Sequence, residues 1–199
     1  MRVLGVDPGL NCTGWAVVAL DGYRPRVIEA GVIRTRAAET PERRLREIHR
    51  GLTEVIQTLA PEVAVVEALY AHYRHPRTAI LMGHARGVIF LAAAERDLPV
   101  KSYSATRIKK ALTGNGLATK VQVQRTVQIT LGLKNLPEPA DVADALAVAL
   151  CHAHTVRVTG FKPVTRTHSS ASGLKDSETD LNTSVTGLKP MTQNYPRAK

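Results

Sequence analysis

The sequence predicts an α/β domain over residues 1–158, with a mixed five-stranded sheet and helices on both of its faces. Two observations predict it. Three apolar runs near the N-terminus are joined by short turns, as in antiparallel strands, whereas two later runs alternate with helical periodicity, as in parallel strands. A third observation limits the domain. From about residue 160 periodic apolar positions stop, and residues 160–199 contain eleven Ser or Thr, which predicts a disordered tail over 159–199.

The first three strands are predicted as an antiparallel meander. Residues 3–7 end at Asp7, and the turn cluster 8–11 leads to a second run over 15–20. The dipeptide Asp21-Gly22 marks a hairpin turn before a third strand over 26–33. The first strand therefore ends in a carboxylate.

The later elements alternate between helix and strand. The run 63–66 is continuously apolar, which predicts burial on both faces, and it ends at Glu67. The remaining predicted elements are a strand over 100–103 and helices over 41–59, 78–96, 105–112, 120–133 and 139–156.

The predicted helix 78–96 is apolar nearly all round, so it needs cover on two sides. The sheet supplies one side. The small residues Gly83, Ala85 and Gly87 would permit close approach of a second copy in a twofold homodimer on the other. Burial inside a single subunit explains the same pattern.

The formal net charge of +10 is concentrated in one part of the chain. Residues 68–137 contain eleven Lys or Arg against Glu95 and Asp97 alone, and within them 98–137 contain seven and no acid, Lys109 and Lys120 among them. Such a surplus indicates a polyanionic partner, nucleic acid first; a solubilising face is the alternative. The segment 70–77 adds candidate contacts to unstacked bases and phosphates: Tyr70, Tyr73, Arg74 and Arg77.

Composition also bears on location. The longest apolar runs, residues 88–94 among them, are far too short to span a bilayer, and no signal-peptide pattern opens the chain. Cys12 and Cys151 form no CxxC motif, which suits a reducing compartment. We therefore expect a cytoplasmic protein. The motif Cys151-His152-Ala-His154 is interpreted as helix surface rather than a zinc site.

Four acids are candidate catalytic residues and metal ligands. Asp7 and Glu67 end strands that could be neighbours, and Asp141 and Asp144 share one helical face. Clustered carboxylates repel one another, and hard divalent cations remove that conflict, which predicts two Mg²⁺ or Mn²⁺ ions and phosphoryl-transfer chemistry. Turn and helix-capping roles are the alternatives for each acid taken alone.

The stretch Arg2-Val-Leu-Gly-Val-Asp-Pro-Gly-Leu-Asn-Cys-Thr-Gly-Trp15 resembles the opening of the bacterial RuvC family of Holliday-junction resolvases. The resemblance covers roughly residues 2–156 in order. It continues through Val65-Val66-Glu67, Gly83-His-Ala-Arg-Gly-Val88, Tyr103-Ser-Ala-Thr-Arg-Ile-Lys109, Gly114-Asn-Gly116, Lys120-Val-Gln-Val123 and Asp141-Val-Ala-Asp144-Ala-Leu-Ala.

The resemblance implies a ribonuclease H-like fold and a homodimer whose two active sites nick opposing strands of a four-way DNA junction. It places the four acids at the positions of the family's metal ligands, and Lys109 and Lys120 at positions that contact DNA near the scissile phosphate. Tyr70 matches an aromatic residue that stacks on bases, a role that Tyr73 could share or replace. It also implies partnership with the RuvA–RuvB branch-migration complex.

These observations together predict a structure-selective endodeoxyribonuclease that leaves 5′-phosphate and 3′-hydroxyl ends and acts in homologous recombination and DNA repair. Two alternatives stay open. A non-catalytic junction-binding protein would explain the basic segment alone. An actin-like phosphotransferase would explain the turn after Asp7, although that class needs two half-domains.

Overall fold

A computed structural model describes residues 1–21, 24–69 and 76–159 of the chain. The predicted tail, apart from Thr159, lies outside these residues. The strands are β1 (Arg2–Asp7), β2 (Cys12–Ala19), β3 (Arg26–Arg34), β4 (Val63–Glu67) and β5 (Val100–Tyr103), and the helices are α1 (Pro41–Leu59), α2 (Pro76–Ala94), α3 (Ala105–Thr113), α4 (Lys120–Leu131) and α5 (Ala140–Thr159).

The five strands form one open mixed sheet in the order β3-β2-β1-β4-β5. β1, β2 and β3 pair antiparallel, as their short connections require, whereas β4 pairs parallel with β1 and β5 parallel with β4. β1 is therefore central, and the carboxyl ends of β1, β4 and β5 lie at one edge of the sheet. The predicted mixed sheet is confirmed.

Helices cover both faces of the sheet. On one face α5 packs against alternate residues of β1 and β4, represented by Val3 and Val65, and α3 and α4 pack on α5 in the same core. On the other face α1 and α2 pack against the intervening residues, represented by Leu4 and Val66. Because both faces are covered, β4 is buried along its apolar length, as its unbroken hydrophobicity predicts.

Several boundaries differ from the sequence prediction for local reasons. β2 begins at Cys12 rather than near Trp15, because its first residues pair with the end of β3. α2 begins earlier, with Pro76 at its start, where a missing N–H costs no hydrogen bond. α4 ends at Leu131 because Gly132 follows in the left-handed region.

α2 is covered on one side. Ala85 and Ile89 are buried against the sheet and α1, whereas Ile80, Phe90 and Leu91 are exposed. The apolar outer side therefore has no cover within the described chain. No helix in the described ranges is long and apolar enough to cross a membrane.

Candidate active site

Asp7 and Glu67 lie side by side at the carboxyl edge of the sheet. β1 and β4 are parallel, and Val6 is in register with Val66, so the two acids occupy the next rung. Side chains alternate along a strand, which places Asp7 on the face of Val3 and Glu67 on the face of Val65. Both carboxylates are therefore on the side of the sheet covered by α5.

Two glycines let the start of α5 approach this edge. Gly14 of β2 pairs with Asp7, and a Cβ built on Gly14 would lie 2.1 Å from the carbonyl oxygen of Asp141. A Cβ on Gly5 would lie 2.2 Å from the carbonyl oxygen of Ala145. No larger residue fits at either position, so the glycines allow the contact that brings Asp141 and Asp144 towards Asp7.

The electrostatics of Asp7 show that the four acids share one environment. The pKa of Asp7 is raised to about 7, most by burial and then by the nearby carboxylates of Asp144, Glu67 and Asp141 in that order, against a smaller lowering by Lys120. Like charges held together out of water disfavour ionisation. The fold thus assembles the acids that the sequence predicts at one edge.

Glu67 is held between acidic and basic neighbours. Burial raises its pKa most, Asp144 adds to the rise, and Lys109, Lys120 and Arg86 oppose it. The Arg86 guanidinium also donates a hydrogen bond to the backbone oxygen of Glu67 and a second, of 2.7 Å, to Ser102 Oγ. Arg86 therefore ties α2 to the end of β4.

A cleft of about 290 Å³ opens beside these acids, and basic residues form part of its wall. Lys120 Nζ lies 2.7 Å from Asp144 Oδ2. The cleft is lined by Glu67, Ala105, Ile108, Lys109, Lys120, Val123, Asp144 and Ala147. A surface with carboxylates beside ammonium groups suits a phosphate ester whose charge is shared between metal ions and lysines.

The donor set fits a hard divalent cation, because all four candidate ligands are carboxylates and burial with mutual repulsion raises the pKa of Asp7 to about 7. Their present side-chain positions do not form a closed cage: within the described ranges, no three His, Cys, Asp or Glu side chains converge at metal-binding spacing. Asp144 Oδ2 instead contacts Lys120.

The predicted DNA-contacting residues divide into three groups. Lys109 and Lys120 line the cleft. Arg77 belongs to the first turn of α2, although its side chain is outside the described part. Tyr70, Tyr73 and Arg74 lie outside the described residues.

Arg44 is a structural arginine that the sequence pattern did not indicate. It is a charged residue of α1 but is buried, and its guanidinium donates to Thr35 Oγ1 at 2.9 Å and to Asn11 Oδ1. Asn11 lies in the turn that follows Asp7, so Arg44 anchors that turn to α1. The helical period could have indicated this burial, because Arg44 is four residues before the buried Ile48 and so lies on the same face of α1.

The interpretation of residues 151–154 as helix surface is wrong for three of the four. Cys151, His152 and Ala153 are buried, and only His154 is exposed. The Tyr103 hydroxyl lies 2.8 Å from His152 Nδ1, so His152 is an interior residue with a partner. α5 is the central helix of its layer, which explains why so much of its circumference is covered.

The cleft beside the acids is not the larger of the two surface hollows. A larger surface hollow, of about 510 Å³, is lined by Arg36, Glu39, Arg43, Arg46, Glu47 and Arg50 and contains none of the four acids. Its arginines protrude from the outer side of α1 and the preceding loop. The smaller cleft combines coupled acids with lysines, and chemistry rather than size identifies it as the candidate active site.

The fold and the site together define a ribonuclease H-like α/β protein with an acidic cleft bordered by lysines. The family model described as "Crossover junction endodeoxyribonuclease RuvC" matches residues 3–152. A protein of that description from Rhodopirellula baltica is 56% identical over 149 residues, covering 75% of this chain and 84% of its own. The chain belongs to the RuvC family.

Solved structures of the family have the same fold as this chain. The Thermus thermophilus RuvC structure superimposes with a TM-score of 0.75 at 38% identity, covering 82% of this chain and all of that one. T. thermophilus RuvC in complex with Holliday junction substrate superimposes with a TM-score of 0.76 at the same identity, covering 82% of this chain and 99% of that chain. The predicted family and ribonuclease H-like fold are confirmed.

Proposed function

We propose that this chain is a divalent-metal-dependent endodeoxyribonuclease that resolves Holliday junctions by paired symmetric nicks, in homologous recombination and DNA repair. The observation that most supports this proposal is the electrostatic coupling of Asp7 to Glu67, Asp141 and Asp144 beside a lysine-lined cleft. It occurs in a chain that the RuvC family model matches over residues 3–152. A relative solved with Holliday junction substrate supports the choice of DNA.

In this proposal Asp7, Glu67, Asp141 and Asp144 hold two Mg²⁺ or Mn²⁺ ions. Two such ions, when bound, stabilise both the attacking and the leaving oxygen of an in-line displacement at phosphorus. Asp7 and Glu67 lie at the ends of two buried strands, and α5 supplies the other two acids. Water would be the nucleophile, and the products would carry 5′-phosphate and 3′-hydroxyl ends.

Lys109 and Lys120 bind DNA phosphates in this proposal. Both ammonium groups line the cleft, and Lys109 acts electrostatically on Glu67. Tyr70, Tyr73, Arg74 and Arg77 remain proposed contacts to bases and phosphates at the junction centre. Lysine contacts to phosphates provide affinity without sequence information, so the shape of the junction determines where the protein binds.

The decisive test compares a labelled four-way junction with linear duplexes of the same arm sequences. The protein is incubated with each in Mg²⁺ or Mn²⁺, and the products are resolved under denaturing conditions. Paired nicks in the junction alone support the proposal. Binding without any cleavage would support the non-catalytic junction-binding protein, and nucleotide hydrolysis without DNA cleavage would support a phosphotransferase.

We further propose a homodimer formed through the outer side of α2. Ile80, Phe90 and Leu91 are exposed there, and a Cβ on Gly87 would meet no heavy atom within 4 Å. Sedimentation equilibrium should give a dimer for the full chain and a monomer for Leu91→Glu. The control Ile129→Glu alters an exposed apolar residue of α4 and should leave the dimer intact.

The partner, the location and the domain limits are proposals as well. The RuvA–RuvB complex is the expected partner, and a supershift of the junction complex by those proteins would test it. A cytoplasmic location is consistent with Cys12 and Cys151, which are both free thiols. The domain limits of 1–158 and a tail over 159–199 can be tested by limited proteolysis.

A further inference from the structure

We propose that Leu117 is a specificity-determining residue that contacts DNA bases next to the phosphate held in the cleft. The inference rests on the proposed function. Leu117 is 87% exposed, which is the highest value among the large apolar side chains in the described part of the chain. Contact with a partner would remove this apolar side chain from water and would therefore stabilise the complex.

Hydrogen bonds hold the loop that bears Leu117 in one shape. The Leu117 amide donates to Asn115 Oδ1 at 2.9 Å, and the Asn115 amide donates to Thr113 Oγ1 at 3.2 Å. On the other side of Leu117, Ala118 is buried, and its amide donates to the Asn115 carbonyl at 3.2 Å. Both neighbours are thus anchored, and the leucine is not part of a freely moving tip.

Packing fixes the loop further. A Cβ on Gly116 would lie 2.8 Å from Thr106 Cγ2, so the backbone at Gly116 packs directly on the first turn of α3. Thr119 then caps α4 through a reciprocal hydrogen-bond pair with Gln122. The loop therefore has little room to move towards α3, and the Leu117 side chain is held in solvent.

The position of this loop gives the exposed leucine a context. The loop joins α3, which supplies Lys109, to α4, which supplies Lys120, and both lysines line the cleft. Lys120 lies three residues after Leu117 and contacts Asp144. A DNA strand whose phosphates are neutralised by the two lysines would therefore pass beside Leu117.

The chemistry of the side chain selects the part of DNA that it contacts. An isobutyl group has no favourable interaction with phosphate, whereas base faces are apolar. Apolar side chains that bind DNA insert between base steps and partly unstack them. The occupant to which we commit is a base step adjacent to the phosphate held by Lys109 and Lys120.

The test uses the full-length protein and junctions that carry 2-aminopurine at the bases flanking the cleaved phosphate. In EDTA, binding should raise the fluorescence of the reporter, because the base loses its stacking partner. Leu117→Ala should lose most of this rise while keeping the thermal midpoint. In Mg²⁺ it should lower kcat about tenfold with KM changed less than threefold, and it should broaden the choice of cleaved sequence.

Two further variants separate a base contact from a general effect. Leu117→Met keeps a long apolar side chain and should retain the fluorescence rise and the rate. Ile129→Ala removes a 79% exposed apolar side chain nine residues from Lys120 on α4 and should match the unaltered protein in every measurement.

Each outcome bears on a different claim. Equal fluorescence, rate and site choice for Leu117→Ala and the unaltered protein would overturn the inference while leaving the nuclease proposal intact. Failure of the unaltered protein to cut any junction would instead overturn the proposed function. Unchanged DNA measurements combined with loss of a protein–protein complex in Leu117→Ala would show that Leu117 contacts a protein, which also overturns the inference.

Discussion

Lys120 Nζ lies 2.7 Å from Asp144 Oδ2, where the basic wall of the cleft meets its acids. The hydrogen bond to Asp144 is the main reason that the pKa of Lys120 is raised, so the ammonium group stays charged throughout the physiological range. A permanently charged lysine at this position can neutralise a DNA phosphate and can also screen the repulsion between that phosphate and Asp144.

Replacing Lys120 should change the salt dependence of junction binding. Lys120→Ala removes one phosphate contact, so the slope of log affinity against log salt concentration should fall by about one. Binding is measured in EDTA at several salt concentrations. Lys134→Ala is the control, since Lys134 is exposed in the same acid-free stretch but does not line the cleft. An unchanged slope for Lys120→Ala would remove it from the phosphate contacts.

Asp7→Asn should abolish cleavage while preserving junction binding in EDTA. The substitution removes the carboxylate that interacts electrostatically with all three other acids. The proposed metal ions thereby lose one negatively charged oxygen ligand. Rates should fall by at least about a thousandfold, measured with labelled junction in Mg²⁺ and in Mn²⁺. Asp21→Asn, at an exposed position outside the cleft, is the control and should cut normally.

The same pair of variants tests metal binding without reference to activity. Mg²⁺ or Mn²⁺ bound to the folded state should raise the thermal midpoint of the unaltered protein. At a metal concentration a hundredfold above Kd, the free energy of unfolding should increase by about 2.7 kcal/mol. Asp7→Asn should show a much smaller rise, and Asp21→Asn the full one. Equal rises in all three proteins would contradict the assignment of Asp7 as a ligand.

Gly14→Ala should destabilise the fold and impair the site together. The new Cβ would lie 2.1 Å from the Asp141 carbonyl oxygen, so α5 must shift away from β2. We expect a loss of about 3 kcal/mol in the free energy of unfolding, measured by urea denaturation, and a strong loss of cleavage under conditions where the variant is folded. His154→Ala, at an exposed position of the same helix, is the control and should leave both the stability and the cleavage close to those of the unaltered protein.

His152 should make stability depend on pH. Burial lowers its pKa, with a smaller lowering by Lys101, so the unfolded chain binds a proton that the folded chain resists. The free energy of unfolding should therefore decrease as pH falls below about 6.5, by at most about 1.4 kcal/mol per pH unit from this group.

Denaturation at pH 5 and at pH 7.5 measures this effect. His152→Leu should reduce the difference between the two pH values, although it leaves the Tyr103 hydroxyl without its partner and lowers stability overall. His154→Leu alters an exposed histidine of the same helix and should leave the difference unchanged. A full pH effect in His152→Leu would assign the titration to another group.

Local sequence patterns were sufficient to predict most of the elements. The period of α1 and the unbroken apolar run of β4 each match the structure closely, because burial imposes those patterns residue by residue. The same patterns did not indicate that Arg44 is buried, and they placed His152 at the surface although it is buried too. Their partners, Asn11 and Tyr103, are distant in the chain, and no local period reports such a pairing.

Residue type and order alone predicted the four candidate acids, the basic stretch and the family resemblance. The packing of distant elements was needed to show that Gly5 and Gly14 admit α5, that Lys120 contacts Asp144 and that Leu117 is exposed on an anchored loop. Close approach and solvent exposure depend on which parts of the chain surround a residue. That arrangement forms only when separate elements pack together.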